Sequence, residues 1–135
     1  MRLAYLISAA GLTLAGCSTT PTDLEQKSAP TVLEFKENYQ EIYRRVAKQA
    51  TRCLKVDVGD GGSFEVDTEL YNELGYGEVS YSLGSLSRNY YMSAKIEKVG
   101  EGSRLTLHTG NQLASARVRD LVIEWANGST ACPAF

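Results

Sequence analysis

The sequence predicts an α+β domain, a two-layer fold in which a five-stranded antiparallel meander carries an N-terminal and a C-terminal helix on one face. Three observations lead there. Apolar residues recur at helical spacing over residues 32–52 and again over 111–127. Between these stretches they alternate with polar residues at a period of two. Each connection between alternating runs is short enough for a hairpin, which favours antiparallel neighbours in chain order. Such a sheet is apolar on one face and polar on the other, so both helices belong on the apolar face. At 135 residues the chain has room for one domain of this kind. Its 43% apolar and 22% charged residues match an ordinary globular mix and exclude collagen, low-complexity and multi-span membrane classes. A net charge of -2 lacks the basic footprint of a nucleic-acid binder, so no nucleic-acid partner is expected.

The first segment, MRLAYLISAAGLTL, places Arg2 before an apolar run. As a helix, about 14 residues rise about 21 Å, short of a hydrocarbon core of about 30 Å. A charged start, a short apolar middle and a small-residue end describe a secretory signal. The run ends in Leu14-Ala15-Gly16-Cys17, which resembles the lipobox of bacterial lipoproteins. The resemblance implies cleavage after residue 16, lipid on the Cys17 thiol and acylation of the new amino terminus. Two or three chains anchor durably where one binds only marginally. Ser18 lacks the Asp that, in this family, favours inner-membrane retention, so the resemblance implies an outer-membrane address facing the periplasm. The next stretch, Ser18–Thr31, has two prolines, many hydroxyl residues and Leu24 as its only large apolar residue. It reads as a flexible tether reaching roughly 20 Å. The expected organisation is therefore a signal at 1–16, lipidated Cys17 with its tether to 31, and one domain over 32–135.

The domain opens on a capping-box pattern, Thr31 with Glu34, followed by Val32, Phe35, Tyr39, Ile42, Tyr43, Val46 and Ala50 on one helical face. Arg44, Arg45, Lys48 and Arg52 gather in the second half, where cations suit the helix dipole, as a solvated face or a contact for anionic lipid or glycan. Leu54–Val58 and Phe64–Leu70 alternate around Gly59-Asp60-Gly61-Gly62 and predict a hairpin. With Val58 opposite Phe64, Lys55 meets Asp67 but Asp57 meets Glu65, a like-charge conflict. The next strands are Glu78–Leu83, Tyr90–Val99 and Ser103–Thr109. Gly100-Glu101 suits a two-residue II′ turn and sets Glu97 opposite Arg104. Leu113, Ala116, Val118, Leu121, Val122 and Trp125 give the last helix its apolar face, and Gly128 fits the position that ends it. The element order resembles helix-grip-like domains of envelope lipoproteins. The stretch Phe35…Tyr39…Tyr43-Arg44-Arg45…Arg52-Cys53 is similar to the first helix of small proteobacterial lipoproteins, a likeness that brings no activity with it.

No motif carries a recognisable chemistry. His108, the one histidine, falls on an outward strand position without a nucleophile or an orienting partner in the sequence. The glycine-rich Gly59–Gly62 stretch holds one carboxylate and reads as a turn. Glu65, Asp67 and Glu69, spaced by two, line one face of one strand and suit protection of a sheet edge rather than hydrolysis across a cleft. No catalytic residue, cofactor or metal is expected. The chain is uneven in charge: seven acids and no base lie between Asp57 and Glu78, and six bases with two acids between Lys36 and Lys55. With Tyr71, Tyr76, Tyr90 and Tyr91 near strand ends or the outer face, this suits docking of an envelope partner. The functional expectation is a membrane-anchored, non-catalytic accessory or interaction module. The alternative is a small-molecule or glycan-binding domain with a pocket between sheet and helices. Lipidation consumes Cys17, leaving Cys53 and Cys132 as a thiol pair in an oxidising compartment, and a disulfide between them is expected to staple the C-terminal tail to the start of the sheet.

Overall fold

The computed structural model describes residues 18–110 and 115–134. The elements are α1 (Pro21–Lys27), β1 (Thr31–Phe35), α2 (Tyr39–Leu54), β2 (Val56–Asp57), a 3₁₀ turn (Gly59–Gly61), β3 (Ser63–Tyr71), β4 (Tyr76–Gly84), β5 (Arg88–Val99), β6 (Gly102–Thr109) and α3 (Ser115–Ala126). The fold is α+β around one antiparallel sheet of six strands, ordered β1-β6-β5-β4-β3-β2. Strands β2 to β6 are the expected meander; β1 is the additional strand, paired with β6.

That strand corrects the expected start of the first helix. In TVLEF, Val32 and Glu34 point out while Leu33 and Phe35 turn toward the core, a period of two. Pairing with β6 satisfies the backbone of an otherwise open edge. Glu34 sits opposite Arg104 and pairs with it at 2.8 Å. The helix is capped seven residues later than expected, where the Asn38 side chain accepts from the Gln40 N–H at 2.8 Å. From there Ile42, Val46, Ala50 and Leu54, all at most 1% exposed, form one buried stripe. Each large member contributes about 1.5–3 kcal/mol by burial. Helices α2 and α3 cover the same sheet face, where Met92, Ala94, Ile96, Leu105 and Leu107 meet Val118, Leu121, Val122 and Trp125. Residues 111–114, expected in the last helix, lie outside the described residues. Its C-terminus closes as expected: Gly128, at φ +102°, donates to Trp125, and Ser129 donates to Glu124.

The first hairpin is shifted by two residues from the expected register. Leu54 belongs to α2, and Val56, not Val58, faces Phe64. Asp57 now faces Ser63, which removes the like-charge conflict, and Lys55 pairs with Glu65 at 3.9 Å. Gly62 explains the tightness of this corner: φ is +108°, and an added Cβ would stand 2.0 Å from the Gly84 carbonyl oxygen. The last hairpin keeps its expected register, with Val99 opposite Gly102, Glu97 opposite Arg104 and Gly100 at φ +59°.

Candidate functional site

The segment expected to be a flexible tether is docked instead. Thr20 caps α1 by accepting from the Asp23 N–H at 3.0 Å, and Pro21 opens the first turn. Thr19 donates to the Asp23 carboxylate at 2.9 Å, and this bond, with a smaller contribution from the Thr20 hydroxyl to the same carboxylate, holds the Asp23 carboxyl below its ordinary range. One apolar anchor is enough for so short an element: Leu24 is 1% exposed, and its side chain lies where a Cβ on Gly110 would meet it at 3.0 Å. Helix α1 therefore lies on the polar sheet face, opposite α2 and α3. Ser93 donates to Glu25 at 2.8 Å across that contact. Ser18 is also fixed: it is 2% exposed and its carbonyl accepts from the Tyr90 N–H at 2.8 Å. Tyr90 lies past Met92–Thr109, the last β5–β6 pair, so Ser18 fills a place that β6 has left. Cys17 itself lies outside the described residues.

His108 is part of the same attachment. Ser28 donates its one hydroxyl proton to the Leu24 carbonyl at 2.6 Å. His108 Nδ1 lies 3.1 Å from the Ser28 hydroxyl oxygen and 3.2 Å from its carbonyl. Both groups then accept, so the proton sits on Nδ1 and the ring straps the end of α1 to β6.

Cys53 and Cys132 form the expected disulfide, with Cα atoms 5.2 Å apart and a sequence separation of 79. The loop-entropy relation gives this crosslink roughly 4.5 kcal/mol as an upper figure. The tail that carries Cys132 has further attachments. Trp125 donates from its indole to the Ala131 carbonyl at 2.8 Å, Arg45 to the Ala126 carbonyl at 3.1 Å, and Arg52 to the Thr130 carbonyl. Of the basic cluster, Arg52 thus holds the tail and Arg45 the last residue of α3, while Arg44 and Lys48 stay exposed on α2.

Two surface recesses flank these elements. An open groove of about 640 Å³ runs between α2 and β3, past Tyr43, Arg44, Ala47, Lys48 and Leu70. A smaller recess of about 280 Å³, between α1 and the polar sheet face, carries Glu25, Asp67, Glu69 and Glu78 beside Ser80 and Ser93. Among the described residues no three His, Cys, Asp or Glu side chains converge as a metal set, and no helix is long and apolar enough to cross a membrane. The feature that residue patterns missed is the anchored Ser18. The neighbouring helix α1 did leave a signal, Thr20-Pro21 followed by Asp23, a helix start that composition alone conceals. No family model matches the chain, and no curated protein matches it.

Proposed function

We propose that the chain is a lipoprotein of the bacterial outer membrane, facing the periplasm, whose domain acts as a non-catalytic accessory or interaction module for an envelope partner. The observation that carries this reading is Leu14-Ala15-Gly16-Cys17, set at the end of an apolar run too short to span a bilayer comfortably. The Cys53–Cys132 bond supports it, because disulfides form and persist in oxidising compartments such as the periplasm. The non-catalytic part is supported by His108, whose Nδ1 donates to Ser28 and so is not placed to take the Ser28 hydroxyl proton, which goes to the Leu24 carbonyl. Replacing Cys17 by Ala tests the anchor. The variant is expected to accumulate as an unprocessed precursor that takes up no labelled palmitate, while the native chain labels and fractionates with outer membrane. Label entering the variant would show that Cys17 is not the acceptor. The groove beside Tyr43 and Leu70 favours a second reading, a small-molecule or glycan site between sheet and helix. Chemical-shift changes confined to Tyr43, Ala47 and Leu70 on adding glycan fragments would select it.

A further inference from the structure

We infer that, in the anchored protein, the end of the sheet bearing the β4–β5 connection lies against the bilayer, with Leu86 seated at the headgroup–acyl boundary. The inference rests on lipid attachment at Cys17 and deepens that reading into an orientation. A flexible tether would leave the domain free to tumble, but Ser18 is bonded to β5 through Tyr90. Consecutive Cα atoms are about 3.8 Å apart, so an acylated Cys17 cannot stand farther than one such step from Ser18. From Tyr90 back to Leu86 is four residues, a span of at most about 14 Å. Leu86 is the most exposed large apolar side chain described, at 108% of its reference area. Val58, 44% exposed, belongs to the same end, because the Gly59–Gly62 turn packs against Gly84 and Ser85. The other strongly exposed leucine, Leu74 at 68%, sits in the β3–β4 connection at the opposite end. Nine residues of β3 separate the two ends, about 30 Å at strand rise. The lipid chains and Leu86 therefore leave the molecule at one end, and Leu74 at the other. The occupant this geometry fits is the lipid surface that holds the acyl chains.

Tryptophan scanning of the full, processed chain in phosphatidylethanolamine–phosphatidylglycerol vesicles with brominated acyl chains tests the orientation. Leu86→Trp and Leu74→Trp each change an exposed side chain, so both variants keep the fold. The native Trp125 is fully buried and supplies the same background in each. With residue 86 about 5–10 Å into the boundary region, the added Leu86→Trp emission is expected to fall by roughly half relative to unbrominated vesicles. The Leu74→Trp emission should stay unchanged. Equal quenching at both positions, or quenching at residue 74 alone, overturns the orientation while acylated Cys17, read by mass in the same sample, leaves the lipoprotein reading standing. Absence of acyl mass at Cys17 removes both.

Discussion

Tyr81 carries a phenol into the core at 7% exposure, stacked on Phe64 with ring centroids 5.4 Å apart and tilted against Tyr91 at 6.1 Å. Burial, with a smaller contribution from Tyr91, pushes its pKa from the ordinary value up to about 12. Below about pH 10 both folded and unfolded chains keep the proton, and the group leaves stability unchanged with pH. Above that the unfolded chain ionises first and binds fewer protons, so stability falls by up to about 1.4 kcal/mol per pH unit until the folded phenol also ionises near 12. Tyr81→Phe should remove that loss. Urea midpoints measured from pH 9 to 12 are expected to fall more steeply for the native chain than for the variant, by roughly 2–3 kcal/mol across the window. Parallel curves would show that Tyr81 is not the titrating group. At this scale the sequence was informative where one residue has one plausible partner: the Cys53–Cys132 pair and the Glu97–Arg104 register both followed from position. It was silent about Ser18, because a backbone carbonyl leaves no trace in residue type.

Elements were legible where a period ran long and ambiguous where it was short. Strands β3 to β6 and the body of α2 repeat their period over enough residues to identify themselves. TVLEF does not: five residues with a helix-start pattern fit either period, and only the open edge of β6 decides for a strand. Helix α1 was concealed for another reason. Its seven residues expose nearly everything except Leu24, so composition reads as tether although Thr20, Pro21 and Asp23 are helix-start residues. That makes Leu24 decisive. Leu24→Ala removes the only buried apolar side chain of α1, and such truncations cost about 2–5 kcal/mol. The docking of α1, rather than the sheet, should bear the loss. Amide exchange over residues 21–28 is expected to accelerate at least about tenfold, with α2 amides unaffected. The His108 ring should lose its Ser28 contact in the same variant. Uniform acceleration across all elements would mean that α1 is part of the global core instead of a strap upon it.

At the scale of the whole molecule, the sheet has two edges and manages them differently. On one side β1 closes β6. On the other, β2 covers only Ser63 and Phe64 of β3, so the backbone from Glu65 to Tyr71 lies along an edge that no described strand pairs. That edge carries Glu65, Asp67 and Glu69, the last two exposed. An unpaired strand of this length is a template for a second chain, and charge along it raises the cost of bringing two like edges together. Replacing Glu65, Asp67 and Glu69 together with Thr keeps strand propensity and removes the repulsion. The variant should sediment with a weight-average mass that rises with concentration beyond that of the native chain. Replacing the same three residues with Lys, which restores like charge of the opposite sign, should return the native behaviour. If the Thr variant sediments as the native chain does, the carboxylates do not guard the edge. If the Lys variant associates as well, what is lost is the Lys55–Glu65 and Arg88–Asp67 pairing rather than repulsion between chains. The paired design therefore separates a charge barrier between molecules from ion pairs within one.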